Sequence, residues 1–356
     1  MNEIKRLQNL QSRIHGWGVD GVLLFSMPTI RYLTGFTGSE GVLYAGADAA
    51  ILLVDGRYTT QAGDEFASGE VREFSDRADA IAELVRGREA KSVGFESAAL
   101  YYDSYAELSD RMPGVTLKAF SDELNTLRIR KDEEEITTLR RAAEIAGNAL
   151  AFLLEMIQPD VVERDIVFLL ESAMRERGAD RSSFDTIIAS GRATAMPHAK
   201  PRRKKIERGD CLVIDYGAAY EGYNSDETCT FIVGNPTAEQ REAYTVVKDA
   251  HDRAIDAVKA GVPASEIDRV ARAAIEEKGF GRYFSHGTGH GVGLEVHEPP
   301  RLSKKSADLL EAGMVVTVEP GVYIPGLWGI RIEDMVVVRE NGCEVLTTMS
   351  KELTVL

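Results

Sequence analysis

The last two-thirds of the chain carries one order of elements twice: two helices and then strands. In the first copy, apolar residues recur every three or four positions over 136–157, which predicts a helix closed by Pro159. The acidic run 132–135 suits the start of that helix, because negative charge there interacts favourably with the helix dipole. A second helix over 166–173 is stopped by Gly178.

The second copy repeats this order about a hundred residues later. One predicted helix begins at Thr237 and ends at Gly261, and another begins at Ser265 and ends at Gly279. Strands are predicted after the two helix pairs, at 185–189, 210–215, 314–318 and 330–338. The repetition predicts an α+β domain of two similar halves that face each other across a cleft.

The first third of the chain instead alternates short strands and helices. The predicted elements are a strand at 21–25, a hairpin of 41–44 with 51–54, a helix at 78–86 and a strand at 92–95. This alternation indicates an α/β domain. The polar segment 127–135 marks the boundary, so we predict domains at 1–126 and 127–356.

Charge and composition narrow the function classes. The 356 residues include 42 Lys and Arg against 57 Asp and Glu, a net charge of −15. A chain this acidic repels nucleic acid and anionic membranes, so neither is an expected partner. Charges are spread through residues 1–20, and no run of 18 apolar residues occurs, so we expect neither a signal peptide nor a membrane span. Three cysteines without a metal-binding pattern indicate reduced thiols, and we predict a cytoplasmic protein.

Four acidic residues adjoin strands that should be buried. They are Asp215, Asp226, Glu319 and Glu333. A tight hairpin between the first two would bring both carboxylates to one face. Burying an unpaired carboxylate costs several kcal/mol, and Arg331 is a single nearby cation for four acids. Metal ions would supply the missing positive charge.

Histidines add donors of a second kind. Three lie in the glycine-rich stretch 286–297, and His198 lies in another segment rich in Gly and Pro. One imidazole with several carboxylates suits a pair of divalent ions such as Mn²⁺, Co²⁺ or Zn²⁺. Two ions would carry +4, which balances the −4 of the four acids.

The same features also have interpretations other than a metal site. The glycine-rich stretch lacks a following Lys-Ser/Thr and the strand–GxGxxG–helix setting, which argues against a nucleotide site. A single Asp at a strand end is usually a turn or cap residue, and a single His is usually structural. His15 and His251 lie on predicted helices and are interpreted as surface or packing residues.

Taken together, the acids and the histidine resemble the metal ligands of a known superfamily. It is the creatinase/aminopeptidase P/prolidase/methionine aminopeptidase superfamily, which has the pita-bread fold. The resemblance lies in the words VIDYGA, SDETCTF, HGTGHGVGLEVHEPP, TVEPGVY and GIRIEDMVVV. YLTGFTGS at 32–39 and DGRY at 55–58 are similar to the creatinase-type N-terminal domain of the Xaa-Pro peptidases, a domain that methionine aminopeptidases typically lack.

The resemblance implies a set of five metal ligands. Asp215 would hold one metal ion, Asp226 and Glu333 would bridge two ions, and His290 and Glu319 would complete the second site. A metal-bridging hydroxide would attack the scissile carbonyl, with Glu319 as proton shuttle. The implied cofactors are two divalent ions, Mn or Co first and Zn as a further option.

The resemblance also implies cleft residues that are not ligands. His198 and His297 would hydrogen-bond the substrate carbonyl or the tetrahedral intermediate, and Arg331 would orient the site or meet a carboxylate. His286 matches a recurrent family position with no role that we assign.

The implied activity is cleavage of the bond between an N-terminal residue and proline, by a homodimer. Whether the substrates are dipeptides only, as for a prolidase, or also longer peptides, as for an aminopeptidase P, stays open. The alternatives are a creatinase-fold binding module without metal and metal-free creatinase-like hydrolysis. A complete set of five ligands argues against both.

Overall fold

The structure, a computed structural model, describes residues 2–356 and, at Asp122, the backbone only. The chain forms two compact units, one ending at Arg128 and the other comprising Ile129–Leu356. Over the described residues 2–356, none of the helices combines the length and apolar character needed to cross a membrane.

The first unit is a six-stranded sheet flanked by helices. Its elements are α1 (Asn2–Ile14), β1 (Gly21–Leu24), α2 (Met27–Thr34), β2 (Val42–Gly46), β3 (Ala50–Asp55), α3 (Thr59–Glu65), β4 (Glu70–Phe74), α4 (Arg77–Gly87), β5 (Ser92–Glu96), α5 (Tyr102–Arg111), β6 (Thr116–Phe120) and α6 (Asp122–Asn125). The strand order is β4-β3-β2-β1-β5-β6, with antiparallel pairs at β1–β2 and β2–β3 and parallel pairs elsewhere. The predicted α/β domain and its 41–54 hairpin are confirmed.

Apolar runs explain this sheet. β1, β2 and β3 are buried along almost their whole length, as expected for strands covered on both faces. Leu23 and Leu53 pack with Ile81 and Val85 of α4 and with Leu108 of α5. β4 lies at one edge of the sheet and is mostly polar, a composition that discourages pairing with another chain.

The first half of the second unit has two helices that pack on a small antiparallel sheet. Its elements are α7 (Glu133–Leu154), α8 (Glu163–Glu176), β7 (Arg181–Ser182), β8 (Ile187–Ser190), β9 (Cys211–Tyr216), β10 (Ala218–Tyr220), β11 (Tyr223–Asn224) and β12 (Glu227–Ile232). Leu150 and Ile166 of the helices share one core with Ile188, Ile214 and Phe231 of the strands. The sheet order is β12-β9-β8, and β10 pairs separately with β7 and β11.

The second half repeats this arrangement with a larger sheet. Its elements are α9 (Ala238–Ala257), α10 (Ala264–Glu277), β13 (Gly289–Gly291), β14 (Glu298–Leu302), β15 (Val315–Val318), β16 (Gly321–Ile324), β17 (Trp328–Arg331), β18 (Asp334–Arg339) and β19 (Gly342–Val345). The five-stranded order is β14-β13-β15-β18-β19, with β16–β17 as a separate pair. Val247 and Ile267 of the helices pack against Val316 and Val336 of the sheet. The predicted order of helix, helix and strands, repeated twice, is confirmed.

The leading helix of each half begins with the same local device. The Asp132 side chain accepts from the backbone N–H of Glu135, whose own side chain returns to Asp132 N. Thr237 and Gln240 form the same capping box at the start of α9. A cap of this kind contributes about 1 kcal/mol, so each half fixes the start of its first helix locally.

Several predicted boundaries are wrong, among them the end of the helix predicted over 136–157, which lies at Leu154. The strand predicted at 330–338 is two strands, because Ile332 and Glu333 lie between β17 and β18, which belong to different sheets. The helix predicted from Thr237 to Gly261 already ends at Ala257. The strand predicted at 185–189 begins at Ile187.

Candidate active site

A cavity of about 570 Å³ opens in the second unit, and all five predicted ligands line it. Its wall also includes His198, His286, His297 and Arg331. Five carboxyl groups face this cavity against two guanidinium groups, with the acids being Asp185, Asp215, Asp226, Glu319 and Glu333. The cavity therefore combines a large negative charge with little compensating positive charge from the chain.

Asp215 and Asp226 reach the cavity from an antiparallel strand pair. Asp215 is on β9 opposite Thr228 of β12, and Asp226 directly precedes β12. The tight hairpin predicted between them is confirmed, because the register of β9 with β12 continues through β10 with β11 to a two-residue turn at 221–222. Gly217 lets the two strands of the hairpin approach closely, because a Cβ there would lie 1.9 Å from the Ser225 carbonyl oxygen.

His290 is placed by a similar close approach in the other half. A Cβ on Gly289 would lie 1.9 Å from the Thr317 oxygen, so glycine lets β13 lie against β15. The Nδ1 of His290 is 3.0 Å from the Gly291 carbonyl oxygen. A neutral ring donates its proton there, which leaves the Nε2 lone pair free. That Nε2 is 3.6 Å from Asp226 Oδ2 and 3.7 Å from Glu319 Oε1.

Glu333 lies at the junction of two sheets, between β17 and β18. Its Oε2 accepts a hydrogen bond of 2.7 Å from the Thr228 hydroxyl, and its backbone N–H donates to the Thr228 carbonyl. Asp226, His290 and Glu333 each offer a ligand atom within 4.8 Å of the other two, and all three are buried. Both halves of the unit therefore contribute to one cluster of donors.

Burial and mutual repulsion dominate the electrostatics of the cluster. Burial raises the pKa of Asp226 well above its ordinary value, and the carboxylates of Glu333 and Asp215 raise it further. Burial likewise raises the pKa of Glu333 and that of Glu319, the latter to about 7. Burial lowers the pKa of His290 to about 3, so its ring is neutral at pH 7. Such a set ionises fully only beside added positive charge.

Arg331 supplies part of that charge. Its Nη2 donates to Asp215 Oδ2 at 2.6 Å, and its Nε donates to the Thr228 hydroxyl at 3.0 Å. The other oxygen of Asp215, Oδ1, is buried and lacks a hydrogen-bond partner within the part of the chain that the structure describes. An unpartnered anionic oxygen, carboxylates in excess and a neutral imidazole with a free lone pair are the donor set of a divalent-metal site. The residues present fit such ions.

The remaining predicted site residues lie around this cluster. The His297 ring is 4.4 Å from the His290 ring, edge to face, and its side chain is exposed to the cavity. His198 is also exposed, and it follows Pro197, whose carbonyl accepts from Arg331 Nη1 at 3.1 Å.

The sequence did not single out Tyr323. Its hydroxyl lies 3.0 Å from Arg331 Nη1 and 2.9 Å from His286 Nε2, so it joins these two side chains. Its only sequence signal was its place in the word TVEPGVY, directly after the strand end that carries Glu319.

The chain matches the models of two known protein families. The model of metallopeptidase family M24 matches residues 137–340, and the model of the creatinase/prolidase N-terminal domain matches residues 6–130. The chain belongs to metallopeptidase family M24. The family recognition and the predicted combination of an α/β N-terminal domain with an α+β pita-bread domain are confirmed.

Several M24 relatives match nearly the whole chain. The Xaa-Pro dipeptidase of Pyrococcus horikoshii is 40% identical over 94% of this chain and 94% of its own length. The structure of an Xaa-Pro dipeptidase from Bacillus anthracis, at 41% identity, matches with a TM-score of 0.95 over 100% of this chain and 99% of that one. An X-Pro aminopeptidase from Thermotoga maritima matches at 38% identity with a TM-score of 0.93, over 98% and 99% of the two chains.

Proposed function

We propose that this M24 chain is a dinuclear-metal-dependent peptidase that cleaves the bond between an N-terminal residue and proline. The observation that carries the proposal is the cluster of Asp226, His290 and Glu333 within 4.8 Å, with Asp215 and Glu319 in the same cavity. Relatives named for activity on Xaa-Pro substrates, at about 40% identity over nearly the full chain, support the choice of bond.

The five predicted residues would hold the metal ions. The unpartnered Oδ1 of Asp215, the free Nε2 of His290 and the carboxylates of Asp226, Glu319 and Glu333 are the donors. Divalent ions supply Lewis acidity toward the scissile carbonyl and lower the pKa of water. We propose Mn²⁺ or Co²⁺ first and Zn²⁺ as a further option, since oxygen donors outnumber nitrogen donors here.

The chain's own side chains have separate tasks in this proposal. Glu319 lines the cavity with its Oε1 3.7 Å from His290 Nε2, and its carboxylate is suited to carry a proton to the leaving nitrogen. The exposed imidazoles of His198 and His297 donate to the substrate carbonyl oxygen as it gains charge. Arg331 holds Asp215 and Tyr323 in place through hydrogen bonds of 2.6 and 3.0 Å.

The shape and charge of the site suit an N-terminal residue followed by proline. A bond before proline is a tertiary amide without an N–H, so a peptidase that needs this hydrogen-bond donor cannot bind the substrate there. Here the acidic cavity attracts the free amino group of the substrate instead. We further propose that the protein is a homodimer and that it is cytoplasmic. The three free cysteine thiols agree with a reducing compartment.

Peptide hydrolysis by chelator-treated protein tests the proposal. We expect Ala-Pro, Leu-Pro or Ala-Pro-Ala to be cleaved only after Mn²⁺, Co²⁺ or Zn²⁺ is restored, with Ala-Ala as the matched peptide without proline. The ratio of dipeptide to tripeptide rates decides between a dipeptidase and an aminopeptidase P. Cleavage that persists without metal, or equal rates on Ala-Pro and Ala-Ala, would contradict the proposal.

A further inference from the structure

A second ionic cluster lies beside the proposed metal site but does not line the cavity. We call it the Lys351 cluster; it consists of Lys351, Glu227 and Asp334 with the groups that bond to them. All three side chains are at most 8% exposed. Glu227 and Asp334 fall within the motifs SDETCTF and GIRIEDMVVV, but they have no role in the proposed mechanism, and neither does Lys351.

Each acid of the cluster is the chain neighbour of a predicted bridging ligand. Glu227 follows Asp226, and Asp334 follows Glu333. Successive residues of an extended strand point to opposite faces. One acid of each pair lines the cavity while its neighbour lies outside the cavity lining. The two halves of the unit therefore present the same Asp/Glu doublet, once at the start of β12 and once at the start of β18.

A single cation joins the two outward acids. The Nζ of Lys351 forms a short ion pair with Glu227 Oε1 and lies 3.2 Å from Asp334 Oδ1. The second oxygen of Glu227 accepts from the Tyr216 hydroxyl at 2.7 Å. The second oxygen of Asp334 lies 3.1 Å from His251 Nε2. Glu227 is thus held at both oxygens, and Asp334 lies between Lys351 and His251.

The segment that carries Lys351 is itself fixed to β12. Ile232 donates to the Thr354 carbonyl at 3.2 Å and accepts from the Leu356 N–H at 2.9 Å. The Tyr244 hydroxyl of α9 donates to the Lys351 carbonyl at 3.0 Å. Lys351 therefore approaches the two acids from a backbone that is hydrogen-bonded to one of the ligand-bearing strands.

We propose that Lys351 is a positioning residue for the metal site, which sets the spacing of Asp226 and Glu333 through Glu227 and Asp334. The inference rests on the proposed function, because it takes Asp226 and Glu333 as ligands. Without the lysine, two buried carboxylates would repel each other across the junction of the two halves, and the strands that carry the ligands would separate. Residues that orient metal ligands typically contribute about 10–100-fold in metal affinity.

Metal titration of full-length variants tests the proposal. Lys351→Met keeps the length of the side chain and removes its charge, and we expect Mn²⁺ affinity in a chelator-competition assay to fall about 10–100-fold. Lys351→Arg keeps the charge and should bind Mn²⁺ much closer to wild type. Lys131→Met is the matched control, because Lys131 is equally buried and pairs with Glu298 at 2.6 Å, which adjoins none of the five ligands in sequence. It should lose thermal stability without losing Mn²⁺ affinity.

The outcomes separate the two proposals. Wild-type protein that binds none of Mn²⁺, Co²⁺ and Zn²⁺ would overturn the proposed function and this inference with it. Wild-type binding with unchanged affinity in Lys351→Met, or an equal loss in Lys131→Met, would overturn the positioning role alone. If Lys351→Met does not fold, the double variant Lys351→Met/Glu227→Gln removes one charge of each sign and leaves Asp334 beside His251. It is expected to fold, because the repelling pair of carboxylates is gone, and still to bind Mn²⁺ about 10–100-fold more weakly than wild type, because no side chain then joins residues 227 and 334. Wild-type affinity would refute the proposal.

Discussion

The variant Asp226→Asn is expected to lose Xaa-Pro hydrolysis and at least one bound metal ion. Asparagine has the size of aspartate but carries no charge, and Asp226 lies buried within 4.8 Å of the donor atoms of His290 and Glu333. A ligand proposed to bridge two ions cannot be replaced by a neutral amide without weakening both. Metal content after dialysis, together with the rate on Ala-Pro, measures the effect.

The same variant should not destabilise the metal-free protein. Asp226 is repelled by Glu333, Asp215 and Glu319, and burial adds to the cost of its charge. Removing one of these acids should leave the melting temperature of metal-free protein unchanged or raise it. Added metal should then stabilise wild type far more than the variant, because only binding to the folded state raises stability.

Asp249→Asn serves as the matched control for this variant. Asp249 is a partly exposed residue of α9 that pairs with Arg253 at the surface, where an ion pair contributes about 0–1 kcal/mol. It should retain wild-type metal content and rate. Wild-type activity in Asp226→Asn would show that the cluster is not the metal site, and a collapsed fold without metal would show that Asp226 serves structure instead.

The family motifs alone predict most residues of the candidate site. The five predicted ligands lie within strands or next to them, and each does line the cavity. The pattern worked because an acid at the end of an apolar run is visible in a single sequence. Which oxygen bonds to which partner was not visible, so the Arg331–Asp215 pair and the unpartnered Oδ1 emerged only from the structure.

The continuous apolar run at 330–338 predicts one strand where the structure has two. Residues 330–338 form one run of strand-like sequence, yet the chain changes sheets at Glu333. Residues of both strands are buried, so their hydrophobicity carries no mark of the change. The position of Glu333 within the run was the signal, because a buried acid requires hydrogen-bonded, charged or metal partners that a continuous apolar strand does not supply.

The outward acids were missed for a related reason. In the sequence, Arg331 is a single nearby cation for the four predicted acidic ligands. Two further acids, Glu227 and Asp334, directly follow two of those ligands. Their counter-charge, Lys351, is more than a hundred residues from Glu227 in sequence. Long-range pairing of this kind depends on where the last residues of the chain return, which local patterns do not encode.

The two halves of the unit divide the site between them. Asp215 and Asp226 come from the first half, and His290, Glu319 and Glu333 come from the second. Thr228 connects the halves, since it accepts from Arg331 and donates to Glu333. The geometry of the donors therefore depends on the register between the halves, which explains why a buried ionic cluster at that junction would matter for metal affinity.

The variant His297→Ala is expected to lower kcat about 10²–10³-fold, the effect of removing one donor to a developing oxyanion. Burial and the nearby charge of Arg301 lower the pKa of His297 below its ordinary value, so the ring is neutral at pH 7 and offers one N–H. The ring lies 4.4 Å from His290 and is exposed to the cavity, in reach of a bound peptide. It is not among the proposed ligands, so metal content should stay at the wild-type level.

Two measurements together decide this prediction: steady-state kinetics on Ala-Pro and metal content of the same preparation. His15→Ala is the matched control, because His15 is an exposed histidine of the first unit, outside the cavity. It should leave both quantities unchanged. A lower kcat with full metal content supports the oxyanion role of His297, because the transition state alone then loses an interaction. Loss of metal in His297→Ala would instead make the imidazole a ligand, and an unchanged kcat would remove it from the catalytic machinery.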